Sequence, residues 1–153
     1  MDSQCTRSKG FTLIEVLVTV AIAGILAAVA VPSVVRLCAD QRAKAAATNL
    51  FTALSVTRSE AIKQNQNVKL LPKSDWANGW FIANPVTDAD LGLLDANATG
   101  VPVTGGPASV IYNGGGRLAG TAAPSFTIGE SGMPQRCLSV DLSGRPHIKA
   151  SAC

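Results

Sequence analysis

The stretch KGFTLIE, Lys9 to Glu15, opens the longest apolar run in the chain. The run continues as VLVTVAIAGILAAVAV to Val31, and Glu15 is the single ionisable side chain between Phe11 and Pro32. As a helix, this run would extend roughly 31 Å, which is enough to cross the hydrocarbon core of a bilayer. A charge on such a helix costs about 2.5–3.5 kcal/mol on insertion scales, so we expect Glu15 to have a function and a counter-charge.

Two interpretations of this N-terminal pattern are open. The first is a secretory signal peptide, with a basic start, an apolar core and Ala28-Val29-Ala30 as an A-x-A cleavage site. However, the run is long for the apolar core of a signal peptide, and Glu15 lies inside it. The second interpretation depends on the motif itself and is favoured.

The KGFTLIE motif and its apolar continuation resemble the class III signal of type IV pilins and type II secretion pseudopilins. In that family a prepilin peptidase cuts after the glycine, which is Gly10 here, and the new N-terminal residue, here Phe11, is methylated. The resemblance therefore implies a leader peptide at residues 1–10 and a single transmembrane helix at residues 11–31.

The same resemblance implies a role for Glu15. Cleavage before Phe11 creates a cationic amine four residues from Glu15, and an α-helix brings positions i and i+4 onto one face. In an assembled filament the family uses this acid on the incoming subunit to meet the amine of a neighbour. Pairing in a low-dielectric surrounding offsets much of the burial cost and can enforce register, so we expect Glu15 to be an assembly residue. The structural alternative is a snorkelling acid near the helix end.

Residues 32–66 are predicted to continue the helix as an amphipathic, periplasmic half. Pro32 cannot donate a backbone hydrogen bond, so it should kink or loosen the helix. Cys38 follows it and is interpreted as a small apolar residue buried among neighbouring subunits. Because no later helix is indicated, the apolar stripe of this half should pack against a sheet. The stripe consists of Ala43, Ala47, Leu50, Leu54 and Ala61.

After Gln66 the sequence changes to short segments with strand character, so residues 67–153 are expected to form a β-rich globular head. Asn-Gly between aromatic residues within Trp76–Ile82 predicts a hairpin, and residues 84–107 predict a long irregular region. The fold class is therefore expected to be α+β, with a long N-terminal α-helix packed on an antiparallel β-sheet head. The other predicted strands are Asn67–Leu71, Ser109–Tyr112, Ser125–Ile128, Cys137–Leu142 and His147–Lys149, with Ser143-Gly144 as a turn before the last.

Charge and cysteine content narrow the functions open to the head. The formal net charge of the chain is +3, but acidic and basic residues are equal in number from Asn67 onward. This balance argues against a broad nucleic-acid-binding face and leaves only local patches. Cys137 and Cys153 lack a CxxC pattern, so we expect a disulfide rather than a metal site. That bond would contribute about 3 kcal/mol to the stability of the head. Because disulfides persist in oxidising compartments, it also implies that the head lies outside the cytoplasm.

The resemblance extends more weakly into the head. RSEAIKQNQNV (residues 58–68), the Gly79-Trp80 pair and a strand–Ser-Gly-Arg–strand unit ending in Cys resemble the H-type pseudopilin and FimT/FimU minor-pilin group. In the FimT branch, a C-terminal G-R-x-R motif is associated with binding DNA during natural transformation. Gly144 and Arg145 match that motif here, but His147 replaces the second arginine.

Double-stranded DNA is therefore an alternative partner, with Arg145, His147, Lys149 and Arg136 as candidate contacts. Neutral imidazole is a poor phosphate partner, although Lys149 should share a strand face with His147. Asp141 subtracts a charge nearby, so two or three cations would give only weak, salt-sensitive binding. The structural alternative is a turn glycine followed by a solvated arginine.

Three other patterns receive structural interpretations. Residues 113–119 formally fit G-x-G-x-x-A, but no helix signal follows, so a hairpin connection is favoured over a dinucleotide site. Trp76, Trp80 and Phe81 could form a carbohydrate platform, but packing in the hairpin and core is favoured. No triad, dyad or metal set is indicated, so we expect no enzyme, cofactor or metal.

The resemblance implies a minor pilin or pseudopilin of the bacterial inner membrane, with its head in the periplasm. A prepilin peptidase would process it, and it would enter a type IV pilus with other pilins and help to prime or cap assembly. One alternative is the H-type pseudopilin of a type II secretion system. The other is a pilus-associated DNA receptor for natural transformation that acts through Gly144 and Arg145.

Overall fold

The N-terminal pattern forms one long helix. The computed structural model describes residues 10–84, 86–94 and 100–153, and helix α1 is Leu13–Gln64. The predicted leader before Gly10 lies outside the described residues. By its contacts the chain forms two compact units, the first ending at Val35 and the second comprising Arg36–Cys153. The helix assignment continues through Pro32, and the kink there stays a prediction.

The part of α1 in the first unit is apolar and exposed. The large apolar side chains that the structure describes between Leu13 and Val31 are 50% exposed or more. By length and composition α1 can cross a membrane. A helix segment that is apolar on all sides is typical of a segment buried in a non-aqueous surrounding. The limits 11–31 for the membrane segment remain a prediction.

The part of α1 in the second unit has one buried face, as the sequence predicted. The five stripe residues are no more than 1% exposed, and Ala46 and Ala53 widen the stripe. Thr57 is a buried polar residue on this face, and its hydroxyl donates to the carbonyl oxygen of Ala53 at 2.7 Å. The small side chains let the sheets approach the helix closely. The stripe residues are Ala43, Ala47, Leu50, Leu54 and Ala61.

Two antiparallel sheets complete the second unit, which confirms the α+β fold class. A three-stranded sheet has the order β2-β1-β4, and a four-stranded sheet has the order β3-β5-β6-β7. The sequence predicted most of these strands but not their division between two sheets. The strands are β1 Val68–Pro72, β2 Trp80–Ala83, β3 Val103–Thr104, β4 Val110–Tyr112, β5 Ser125–Ile128, β6 Arg136–Val140 and β7 Pro146–Lys149.

One hydrophobic core joins α1 to both sheets. Full burial of a large apolar side chain contributes about 1.5–3 kcal/mol, so this core holds the helix against the strands. Helix residues Leu50 and Leu54 belong to it and are completely buried. The completely buried strand residues of the core are Val68, Leu70, Ile82, Tyr112, Phe126, Ile128, Leu138 and Val140.

The prediction of a hairpin within Trp76–Ile82 was wrong. Trp76–Asn78 is a 3-10 helix, because the Asp75 side chain accepts the backbone N–H of Asn78 at 2.8 Å and caps the turn. Gly79 ends that turn with φ +102°, and β2 then pairs with β1. The Asn-Gly pair therefore ends a helical turn instead of joining two strands.

The tryptophans pack in the core, as the sequence interpretation favoured. Trp76 and Trp80 are 6% and 1% exposed, so neither ring offers a carbohydrate platform. The Trp76 indole donates to the carbonyl oxygen of Pro107 at 2.8 Å and meets Phe126 edge-on, with ring centroids 4.9 Å apart. These contacts fix the predicted irregular region, which also contains the short strand β3, against the second sheet.

Candidate functional site

The predicted processing site lies outside the helix. Gly10, Phe11 and Thr12 have no helical assignment, and α1 begins at Leu13. Gly10 is exposed, and the Phe11 side chain is 82% exposed. The Gly10–Phe11 peptide bond that a prepilin peptidase would cut is therefore in non-helical, accessible backbone. Glu15 lies in the first turn of α1 and is exposed.

Thr12 caps the start of α1, a role that was not predicted from the sequence. Its hydroxyl accepts the backbone N–H of Glu15 at 3.3 Å, and its carbonyl accepts the N–H of Val16 at 3.3 Å. Thr12 is thus the N-cap of α1, with Glu15 at the third helical position. The sequence Thr12-x-x-Glu15 is the signature of a capping box, so the sequence held the signal that would have identified this cap.

The candidate DNA contacts lie on the hairpin of β6 and β7. His147 pairs with Ser139, and Lys149 pairs with Cys137. Since alternate residues of a strand face opposite sides, His147 and Lys149 share one face of the sheet, opposite to that of the buried Leu138. Both side chains are exposed on the edge strand.

The turn of this hairpin is organised by a carboxylate. Asp141 accepts hydrogen bonds from the Ser143 hydroxyl at 2.6 Å and from the Arg145 backbone N–H at 2.9 Å. These donors hold the pKa of Asp141 well below its ordinary value. The second carboxylate oxygen lies 3.3 Å from Nε2 of His147. A negative charge therefore stands beside the histidine that replaces the second arginine of the G-R-x-R motif.

Arg136 has a structural partner. Its Nη2 lies 2.6 Å from a carboxylate oxygen of Asp40 on α1, and the arginine side chain is 15% exposed. The same guanidinium donates to the carbonyl oxygen of Gln135 at 3.3 Å. This ion pair links β6 to the helix and neutralises the charge that the DNA hypothesis assigned to Arg136.

Gly144 is required by packing. Its φ is +82°, and an added Cβ would overlap the carbonyl oxygen of Gly116 and come within 3.0 Å of Cε1 of Tyr112. The same carbonyl oxygen accepts a 2.8 Å hydrogen bond from Nε of Arg58. The turn of β6 and β7, the glycine-rich loop and the end of α1 therefore meet at one place, which we call the glycine junction and define by Arg58, Gly116 and Gly144.

The glycine-rich loop itself is a tight connection. Asn113 accepts the backbone N–H groups of Gly115 and Arg117 on its side-chain oxygen, at 3.0 and 3.1 Å. Its own N–H donates to the carbonyl oxygen of Arg117 at 2.9 Å, and Tyr112 forms a bridge with Leu118. No helix follows, so the loop is a hairpin connection, as the sequence analysis favoured.

The predicted disulfide between Cys137 and Cys153 is present. The backbone N–H of Cys153 also donates to the Thr127 hydroxyl at 3.2 Å. The C-terminal segment therefore crosses back from β7 to β5 and is fixed there. Cys38 is a free, exposed thiol on α1 in the single chain.

The described residues do not contain a group of three His, Cys, Asp or Glu side chains that could hold a metal. An apolar cleft of about 220 Å³ lies beside β4. It offers a single hydroxyl, that of Ser109, and no ionisable side chain. The cleft is lined by Pro107, Ser109, Val110, Ile111, Leu118, Ala119, Gly120, Ala122 and Pro124.

Two family models match the chain. The family described as type II transport protein GspH matches residues 46–144, and the prokaryotic N-terminal methylation motif matches residues 5–31. The type IV major pilin protein PilA of Myxococcus xanthus (strain DK1622) is 30% identical over 123 residues, which are 76% of this chain and 54% of that protein. The chain thus spans about half the length of this curated relative.

The fold is that of a solved minor pilin. Two crystal structures of the type IV minor pilin FimU of Pseudomonas aeruginosa (strain PAO1) align with TM-scores of 0.61 and 0.59, at 20% and 21% identity. The alignments cover 71% and 69% of this chain and 89% and 91% of those chains. Pilin and pseudopilin families consist of structural subunits, so the chain is not an enzyme. The chain belongs to the GspH family of type II transport proteins, within the type IV pilin-like proteins and pseudopilins.

Proposed function

We propose that this chain is a minor pilin that is cut after Gly10, methylated on Phe11 and anchored in the bacterial inner membrane, with its head in the periplasm. It then enters a type IV pilus with other pilins and helps to prime or cap its assembly. The observation that carries the proposal is a contrast within α1. The large apolar side chains that the structure describes between Leu13 and Val31 are exposed, whereas one face is buried by the sheets from Ala43 onward.

This contrast determines what the two parts of the chain do. The exposed apolar part of α1 is covered by lipid before assembly and by the helices of other subunits after it. Glu15 meets the amine of a neighbouring subunit, which fixes the axial position of the incoming helix. The head, whose acidic and basic residues balance, presents local surfaces to its neighbours.

The assembly role of Glu15 is tested in the full chain by Glu15→Gln, with Glu130→Gln as the control because Glu130 is an exposed acid of the head. Sheared filaments and membranes are separated, and the chain is quantified in each. We expect Glu15→Gln to be processed but retained in the membrane, while Glu130→Gln enters filaments normally. Normal incorporation of Glu15→Gln would remove the assembly role.

A second candidate is the H-type pseudopilin of a type II secretion system, which the match of the GspH family to residues 46–144 favours. The same subunit chemistry would then build a periplasmic pseudopilus. The two candidates separate in a deletion strain, in which surface pili and secreted proteins are measured in parallel. Loss of pili with normal secretion supports the pilus, and the reverse result supports the secretion system.

A DNA receptor that acts through Gly144 and Arg145 has less support. Within the described residues, Arg145 and Lys149 are the hairpin cations without an ion pair. The Asp141 carboxylate accepts the Arg145 backbone N–H and lies 3.3 Å from His147. Two phosphate contacts give weak binding with a salt slope of about −2. A gel-shift assay at low salt, comparing the wild-type head with Arg145→Ala plus Lys149→Ala, tests this role. If the wild-type head binds DNA and the double variant does not, the result supports the DNA-receptor role.

A further inference from the structure

We infer that the glycine junction holds one internal water molecule, which accepts a hydrogen bond from the Tyr112 hydroxyl. Tyr112 ends β4 and is completely buried. Among the described residues, its hydroxyl is the single buried side-chain polar atom to which no protein group forms a hydrogen bond. A buried hydroxyl has lost its bonds to bulk water, so such groups in folded proteins are almost always bonded to protein or to an internal water. The Tyr112 hydroxyl therefore needs a partner other than the residues around it.

The chemistry of the hydroxyl limits what this partner can be. Burial raises the pKa of Tyr112 well above its ordinary value of 10.0, while the positive charge of Arg58 lowers it and the negative charge of Asp141 raises it. The hydroxyl therefore keeps its proton at neutral pH and can donate it in a hydrogen bond. Because the side chain is completely enclosed, the acceptor has to be small and uncharged. A water molecule meets both conditions.

The Gly116 carbonyl is the second partner of this water. At Gly144, an added Cβ would meet both the carbonyl oxygen of Gly116 and Cε1 of Tyr112, so this carbonyl and the edge of the tyrosine ring lie beside the same residue. The carbonyl oxygen accepts a 2.8 Å hydrogen bond from Nε of Arg58. A carbonyl oxygen has two lone pairs, so one remains for the water. The water thus accepts from Tyr112 and donates to Gly116, and these two bonds suffice for a buried water.

This water adds a side-chain connection at the place where α1, the glycine-rich loop and the turn of β6 and β7 meet. It links Tyr112 of β4 to the Gly116 carbonyl, and Arg58 continues the connection to α1. It also gives the hydroxyl of Tyr112 a role that a phenylalanine ring could not fill.

Spectroscopy can test the water in the full chain in detergent, because Tyr112 is the single tyrosine of the protein. The tyrosine doublet of the resonance Raman spectrum reports whether the hydroxyl donates a hydrogen bond, and oxygen-17 relaxation dispersion counts long-lived water molecules. We expect the doublet of a donating hydroxyl, and we expect Tyr112→Phe to lose about one long-lived water. A doublet typical of an unbonded hydroxyl, or equal dispersion in wild type and Tyr112→Phe, would overturn the inference.

The stability of Tyr112→Phe gives a second test, in which the sign of the change decides. Urea unfolding of the same full chain is followed by the fluorescence of the buried Trp76 and Trp80. If the hydroxyl is bonded to water, the equilibrium constant of unfolding should rise about fivefold, because a hydrogen bond is lost. If the hydroxyl has no partner, the constant should fall, because its burial cost disappears. An unchanged or lower constant therefore overturns the inference.

Thr57→Val is the matched control for this measurement. It removes a hydroxyl that is also completely buried but whose acceptor is known, the Ala53 carbonyl oxygen at 2.7 Å. The equilibrium constant of unfolding should rise in this variant as well, because a satisfied buried hydrogen bond is lost. A change of the same sign in Tyr112→Phe shows that its hydroxyl is satisfied, and a change of opposite sign shows that it is not.

Discussion

Replacing Gly144 by alanine should strongly destabilise the head, because two costs meet at this residue. Its φ of +82° is a conformation that costs a residue with a side chain about 1–2 kcal/mol. The new Cβ would also overlap the carbonyl oxygen of Gly116, which is fixed by its hydrogen bond to Arg58. Overpacking of this kind costs about 1–3 kcal/mol, so the total is about 2–5 kcal/mol.

Gly132 provides a matched control for this prediction. Its φ is +81°, but an added Cβ would meet nothing within 4 Å. Gly132→Ala therefore carries the conformational cost alone, about 1–2 kcal/mol. The difference in the free energy of unfolding between the two variants therefore measures the cost of the clash between the new Cβ at position 144 and the glycine-rich loop.

The assay is urea denaturation of residues 36–153, followed by the fluorescence of the buried Trp76 and Trp80. The free energy of unfolding should be lower for Gly144→Ala than for Gly132→Ala by about 1–3 kcal/mol. Equal losses in the two variants would refute the claim that packing requires glycine at the turn. The Gly144 position would then again be open to a role in binding.

Three further predictions concern the contacts around β6. Reduction of the Cys137–Cys153 disulfide, whose cysteines are 16 residues apart, should lower the free energy of unfolding by about 3 kcal/mol, and an unchanged urea midpoint would contradict this. Asp40→Asn should lower the free energy of unfolding by about 1.5–3 kcal/mol in the same assay, because the Arg136 side chain is only 15% exposed and loses its carboxylate partner. A change below about 0.5 kcal/mol would indicate that the ion pair contributes little to stability. Hydrogen bonds lower the pKa of Asp141 in the folded state. The ionised carboxylate should therefore contribute fully to the free energy of unfolding above its ordinary pKa of 3.8, and this contribution should be lost as the pH falls below that value. The stability difference between wild type and Asp141→Asn should therefore shrink on acidification from about pH 6 to pH 2, and a difference that grows would contradict the sign.

The parts of the fold that local patterns encode were predicted. The buried stripe of α1 follows from helical spacing, and strands such as Ser125–Ile128 follow from alternation and flanking turns. The same holds for the disulfide, which cysteine content suggested. These features depend on residues close in sequence or on a single compositional fact.

The features that were not predicted depend on distant parts of the chain. Arg136 and Asp40 are 96 residues apart, so spacing gave no sign of their ion pair. The division of the strands into two sheets is likewise a tertiary choice. At Trp76–Asn78 a side-chain cap from Asp75 overrode the Asn-Gly hairpin signal.

The N-terminal processing and assembly site could be predicted from the sequence more fully than the C-terminal hairpin. At the N-terminus the capping box of Thr12 and Glu15 was present in the sequence, and its geometry follows from local rules. At the C-terminal hairpin the Gly144-Arg145 motif suggested DNA binding. Its glycine has a packing reason that becomes visible only when the loop of Gly116 is brought against it.

The central claim, that this chain is processed and assembled as a pilin, is tested most directly by mass spectrometry of the N-terminus of the protein isolated from membranes. The account predicts a peptide that begins at Phe11 and carries one methyl group on its amine. A mature chain that begins at Val31, as cleavage by a signal peptidase would give, or one that retains Met1, would contradict it.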